Sequence, residues 1–234
     1  MGLAMGLTAA GLIYSPLGRR SGAHMNPAVT LTFLRLRKVR PGDAAGYVIA
    51  QFIGAAGGIL AAQWLFRGWP AHPSVNYVAT VPGMTGAAVA FFAEALISFG
   101  MMLMVLSVSN TPRVAAYTGV GAALLVATYI VLEAPFSGMS MNPARTFGPA
   151  LLAHTARTLW IYFLAPPLGM LLAAECFVRY HGHARVRCAK LYHPFTVRCI
   201  FCGFTPNGDR EAPAAMPSAG GARHQRVGVG PHAD

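Results

Sequence analysis

Long apolar runs broken by short polar segments dominate this chain. Stretches at 3–17, 44–66, 86–109, 114–134 and 158–178 are almost uniformly apolar, and each is long enough, or nearly so, to cross about 30 Å of hydrocarbon as a helix. The first is the shortest and ends in the turn signal Ser15-Pro16-Leu17-Gly18. Two briefer segments, 26–36 and 142–153, are predicted as short helices. Roughly ten residues at 1.5 Å rise reach only halfway across a bilayer. Residues 67–85, with Gly68, Pro70, Pro73, Pro82 and Gly83, read as a loop on the outer side. Residues 204–234, rich in Pro, Gly, Ala and Arg without periodicity, are predicted to be a disordered tail.

Both short helices begin in a repeated segment. Residues 21–30 read SGAHMNPAVT and residues 137–146, 116 positions later, read SGMSMNPART, with seven of ten positions identical. Asn is a favoured helix N-cap and Pro is favoured at the first helical position, where its missing N–H costs nothing. Asn26-Pro27-Ala28 and Asn142-Pro143-Ala144 are therefore two helix starts at membrane depth. Such starts are tolerated only where they are buried in protein or line a cavity. In internally repeated proteins they point to a solute site at the midplane.

Composition agrees with a membrane protein: 55% of residues are apolar and 11% charged. The formal net charge of +11 invites a nucleic-acid reading, but its placement argues against one. Arg19, Arg20, Arg35, Arg37, Lys38 and Arg40, then Arg113, then eight cations beyond residue 178 all fall on one side if each apolar run is one crossing. That is the positive-inside pattern, and it puts the C-terminus in the cytoplasm. No nucleic-acid partner is expected.

The two repeated segments, SGAHMNPAVT and SGMSMNPARTFGPA, together with Glu94 in a long apolar span, resemble the aquaporin (major intrinsic protein) family. The resemblance covers about residues 3–178. It implies an all-α membrane protein, an inverted-repeat helix bundle with two half-helices, assembled as homotetramers with one pore per subunit. In the family a whole helix with its own glutamate precedes the span that leads into the first Asn-Pro-Ala. This chain starts inside that span, so five full spans are expected instead of six, from a mis-assigned start or a fragment. The organisation expected is a channel domain over 1–178, a cytoplasmic Cys/His segment over 179–203 and the tail over 204–234. The setting implied is a bacterial-type cytoplasmic membrane.

The resemblance implies that Asn26 and Asn142 meet at the pore centre. Their amides would donate to passing solutes while the positive helix ends disfavour cations. Arg145 would be the arginine of an outer filter, with Met139, Ile130 and either Met5 or Gly6 as its partners. Water-selective members usually carry His where Ile130 stands and an aromatic where Met5 or Gly6 stands, so this filter is unusual and apolar. Glu94 would accept hydrogen bonds from the loop that leads to the second half-helix. Glu133 is expected at the outer mouth, exposed. His24 is expected to be a packed structural residue, with shaping of the inner vestibule as its other role. The function implied is a passive channel for water and small uncharged solutes such as glycerol, needing no cofactor for transport. A wider-filter solute facilitator and a non-conducting membrane scaffold are the alternatives. Neither a phosphate-binding G-x-x-x-x-G-K-[ST] loop nor an H-E-x-x-H helix is present, so a pump or metalloprotease has no support.

The tail adds its own chemistry. Cys188, His193, Cys199 and Cys202 form C-x4-H-x5-C-x2-C. Three thiolates and one imidazole make a tetrahedral set for structural zinc, and a reducing cytoplasm disfavours a disulfide. His181 and His183 are alternative ligands.

Overall fold

A computed structural model describes residues 1–206 as an all-helical bundle, with no strand among them. Nine α-helices run in order: α1 (Gly2–Tyr14), α2 (Pro16–Ser21), α3 (Pro27–Arg35), α4 (Pro41–Leu65), α5 (Ala87–Ser109), α6 (Thr118–Leu132), α7 (Ala134–Ser137), α8 (Pro143–Ala153) and α9 (Leu159–His181). Four stretches are long and apolar enough to span a membrane: Pro41–Leu65, Ala87–Ser109, Ala115–Leu132 and Ala156–His181. The run expected as a fifth full span breaks at Ser15. There α1 ends after 13 residues, and the Ser15 hydroxyl accepts from the Gly18 N–H to start α2. Pro16, which cannot continue the hydrogen-bond ladder, occupies the first position of the new helix instead.

The repeat seen in the sequence is also a repeat of backbone geometry. Gly22 and Gly138 both have φ +78, and the residues after them, Ala23 and Met139, are also left-handed at φ +59 and +51. Asn26 and Asn142 then cap α3 and α8 with φ/ψ of −146/121 and −147/108. Two non-glycine residues in the left-handed region store strain of about 1 kcal/mol or more each, which persists only where the surroundings fix it.

Packing brings small residues into close contact, as expected where lipid supplies no hydrophobic drive between helices. α1 lies on α6, where a Cβ at Gly6 would fall 2.5 Å from the Ala123 carbonyl oxygen. α9 lies on α5, with the same test at Gly169 giving 2.1 Å to Ala95. α8 meets α4 through Gly148 and Ala55, and α3 packs on α9. The core between them is built on Phe33, Met102, Leu106, Met170 and Phe177. Outward-facing Phe92, Leu124, Leu164, Leu168 and Leu172 give the bundle an apolar exterior suited to lipid. α4 is the exception: Ala44 is its buried residue, and Gly54, Gly57 and Gly58 have open space over them.

The end of the bundle carrying Arg19, Arg35 and the turn after α5 also carries the residues that follow α9. Arg187 donates its backbone N–H to Asn110 Oδ1 at 2.7 Å, and Arg35 pairs with Glu175 at 2.8 Å. Most of the expected disordered tail, residues 207–234, lies outside the described residues.

Candidate functional site

The two half-helices hold each other reciprocally. Asn26 Oδ1 accepts from Ala28 N–H at 2.9 Å, while its Nδ2 donates across to the Met141 carbonyl at 2.7 Å. Asn142 Oδ1 accepts from the N–H groups of Ala144 and Arg145 at 3.1 and 3.2 Å, and its Nδ2 donates to the Met25 carbonyl at 2.9 Å. Each amide nitrogen carries two protons and spends one on the opposite loop, so one remains for a ligand. The capping bonds fix which way that proton points. Both asparagines are partly exposed, whereas Pro27, Ala28, Pro143 and Ala144 are buried.

Glu94 is fully buried on α5 and organises the second loop. Its Oε1 accepts from the Ser137 hydroxyl at 2.7 Å and Ser140 N–H at 2.6 Å; its Oε2 accepts from Met141 N–H at 2.7 Å. Tyr162 closes the cluster by donating to the Ser137 carbonyl at 2.6 Å. A carboxylate with three donors on it is the arrangement that makes an acid tolerable at this depth.

Arg145, on the first turn of α8, donates from Nη1 to the Met139 carbonyl at 3.0 Å and to the Thr80 hydroxyl. Met139 is buried, so the expected contact with Arg145 is through its backbone oxygen. Thr80 was not foreseen: it sits in the Pro/Gly-rich 67–85 loop, where no periodicity marks it. Of the other filter positions, Ile130 packs at the edge of the core, Met5 is half-buried, and Gly6 presses on the α6 backbone. Glu133, expected to be exposed at the mouth, is 7% exposed. The chain turns directly from it into α7, and its carboxylate oxygens are buried.

A groove of about 650 Å³ runs along α4 from Tyr47 to Ile59, with Asn142, Ala144 and Arg145 on its opposite wall and His24 at one end. Of the residues foreseen for the pore, Asn142, Ala144 and Arg145 border this groove, while Asn26, Met139, Ile130, Met5 and Gly6 do not. Gln51 faces it and donates to the His24 carbonyl at 2.7 Å and to Thr30 Oγ1 at 3.0 Å. A polar amide inside an apolar span was the sequence signal that could have found Gln51, one that Gln63 in the same span shares.

In the segment after α9 the four foreseen ligands converge. The Sγ atoms of Cys188, Cys199 and Cys202 and a ring nitrogen of His193 lie within 4.8 Å of one another. Cys188 and Cys199 sulfurs are 3.5 Å apart, and His193 Nε2 is 3.2 Å from Cys202 Sγ. Ligands about 2.0–2.3 Å from a tetrahedral zinc stand roughly 3.3–3.8 Å from one another, a spacing the Cys188–Cys199 pair meets and the His193–Cys202 pair nearly meets. The shared hydrogen bond pushes the Cys188 thiol up and holds Cys199 well below the ordinary thiol range. The same thiol cluster, bonding to its ring, pushes His193 up to about 9. His181 and His183 are not part of the cluster.

Paired half-helices meeting tip to tip inside an apolar helical bundle define a membrane channel. The sequence profile of the major intrinsic protein family matches residues 1–177, and the chain belongs to that family, whose members are channels and not enzymes. It is 38% identical over 184 residues to "Glycerol uptake facilitator protein-like 6" of Lactiplantibacillus plantarum, covering 75% of this chain and 82% of that protein. It is also 38% identical over 174 residues to "Aquaporin NIP3-1" of Zea mays, covering 74% of this chain and 56% of the plant protein. The chain therefore spans little more than half the length of that plant relative. The fold matches that of the aquaglyceroporin from Plasmodium falciparum with a TM-score of 0.59 at 19% identity, covering 76% of this chain and 89% of that one.

Proposed function

We propose that this chain forms a passive channel for water and small uncharged solutes such as glycerol. The observation that carries the reading is the reciprocal pair of asparagines, each holding one amide proton on the opposite loop and presenting the other. A solute with a lone pair on oxygen accepts from both amides in turn. A cation meets two positive helix ends instead and is turned back. Arg145, anchored by Met139 and Thr80, adds fixed donors and a positive charge on the outer side. Met139, Ile130 and Met5 or Gly6 complete the filter in this reading. The names of the two relatives favour glycerol and water together over water alone.

The positive-inside distribution puts the Arg-rich end and the C-terminus in the cytoplasm, in a bacterial-type inner membrane, and family likeness implies a homotetramer. The Cys/His cluster is a structural zinc site in this reading, separate from transport. Stopped-flow light scattering of proteoliposomes tests the function. Fast shrinkage in sucrose, followed by re-swelling in glycerol gradients, is expected. Shrinkage without re-swelling would restrict the channel to water, and rates equal to empty liposomes with insertion confirmed would refute conduction by this chain.

A further inference from the structure

The two half-helix loops are held by different means. The second, 138–142, hangs on the Glu94 carboxylate. The first, 22–26, is gripped on one side by α4, where Gln51 donates to the His24 carbonyl and the Tyr47 hydroxyl donates to the Ser21 carbonyl at 2.7 Å. On the other side it is gripped by the segment after α9. Leu191 N–H donates to the Gly22 carbonyl at 3.2 Å, and His24 Nε2 donates to the Ala189 carbonyl at 2.8 Å. Phe201 stacks on the His24 ring at 5.5 Å and 17°, matching the stack of Phe33 on the same ring at 5.3 Å and 22°. Lys190, 2% exposed, donates from Nζ to the Arg19 carbonyl at 2.5 Å, where a cation suits the end of α2.

The residues that make these contacts are the ones bracketed by the four cluster residues. Ala189, Lys190 and Leu191 lie between Cys188 and His193, and Phe201 lies between Cys199 and Cys202. Beyond one 3-10 turn at His183–Arg185, residues 186–206 contain no helix or strand. A stretch this short has little regular structure to order it, and a metal at the cluster would supply the constraint. Among the described residues, none of 186–206 lines the groove along α4. The Phe201 ring of this segment packs near His24 and Tyr47 without itself lining the groove, so the segment acts as a brace and not as a plug.

We propose that metal binding at Cys188, His193, Cys199 and Cys202 clamps the tail onto the 22–26 loop and so fixes the aim of the Asn26 amide, the service Glu94 performs for Asn142. The clamp rests on the zinc reading of the cluster, and its effect on transport rests on the channel reading. Releasing the metal frees Ala189, Leu191 and Phe201 together, and the loop then keeps the α4 side of its grip and the Asn142 bond to the Met25 carbonyl.

The test uses the full chain in liposomes and nanodiscs, zinc-loaded, chelated, and chelated then reloaded, beside a Phe201→Ala variant that keeps all four ligands. Zinc content, amide hydrogen exchange over residues 19–30 and water permeability are read on each. Chelation is expected to speed exchange at Gly22–Met25 about tenfold or more. It should also lower water permeability at least about threefold, with zinc restoring both. Because coupling is reciprocal, Phe201→Ala should bind zinc about tenfold more weakly, a coupling of ~1.4 kcal/mol, and should show the fast exchange even when loaded. Stoichiometric zinc with exchange unchanged on chelation overturns the clamp and leaves the metal site standing. Absence of zinc from the full chain overturns the metal reading and the clamp with it. A rise in permeability on chelation overturns the brace in favour of occlusion. If no form conducts, the channel reading fails, and exchange together with zinc affinity still decides the clamp.

Discussion

Replacing Glu94 with Gln is the sharpest probe of how the second half-helix is held. The substitution keeps shape and volume but swaps one carboxylate oxygen for an NH2 group. All three partners of the carboxylate are donors: the Ser137 hydroxyl, Ser140 N–H and Met141 N–H. Whichever way the Gln amide is turned, at least one of these donors then faces another donor. Hydrogen bonds to a charged acceptor contribute about 1.5–3 kcal/mol and neutral ones about 0.5–1.5, so the bonds that survive lose roughly half their strength. The orphaned N–H or O–H adds a desolvation cost of about 1–3 kcal/mol at a site with no exposure. The expected loss is about 2–5 kcal/mol. Thermal unfolding of the purified protein in detergent, followed by fluorescence-detected gel filtration, should register it as a fall of several degrees. A Glu94→Asp control, which keeps the charge but shortens the reach, should fall between Gln and the parent. A Glu94→Gln protein melting within about one degree of the parent would refute the claim that this carboxylate carries the loop.

Other perturbations separate pore, packing and metal. Arg145→Ala removes a guanidinium bonded to Met139 and Thr80. It should raise permeation of solutes larger than glycerol and weaken cation exclusion, as read by liposome swelling and by ionic current; unchanged selectivity would take Arg145 out of the filter. Gly6→Leu forces side-chain atoms into the Ala123 backbone and should cost at least about 2 kcal/mol, whereas Gly58→Ala, with open space above it, should be neutral or stabilising by up to about 1 kcal/mol. Equal losses at the two glycines, measured by melting, would contradict the packing of α1 on α6. Cys199→Ser combined with Cys202→Ser should abolish bound zinc in elemental analysis of the purified chain, and metal retained at full stoichiometry would refute the tetrahedral set.

The half-helices were legible because two physical signals coincide in them: an N-cap Asn followed by Pro at the first turn, duplicated in one chain. Their observed starts, Pro27 and Pro143, follow the capping residues directly. The clustering of Cys188, His193, Cys199 and Cys202 was legible from spacing, since four such side chains in a short segment have few ways to avoid one another. The first apolar run was harder to read, because hydropathy records composition and is blind to a Ser-Pro break that a short side-chain cap turns into a new helix. Glu133 shows the same limit. An acid at the end of a span reads as exposed until the next four residues fold back as α7. Thr80 and the His24 contacts were out of reach, because they join segments 65 and 165 residues apart through loops that carry no period.

The arrangement couples the two loops more tightly than their separate supports suggest. Met141 offers its N–H to Glu94 and its carbonyl to the Asn26 amide. Met25, beside His24, offers its carbonyl to the Asn142 amide. Anything that fixes the second loop therefore also fixes the acceptor on which Asn26 rests, and anything that fixes the first loop fixes the acceptor for Asn142. Hydrogen bonds join Glu94 to Met141, Met141 to Asn26 and Met25 to Asn142, the Met25–Asn26 peptide bond completes the chain, and each asparagine adds an internal link by capping its own helix. Within such a chain a displacement at either end reaches both amides, since no bond can lengthen without orienting its neighbour worse. The segment after α9 and the buried glutamate thus brace one structural unit from opposite ends, and its two asparagine amides keep their spacing only while both braces hold.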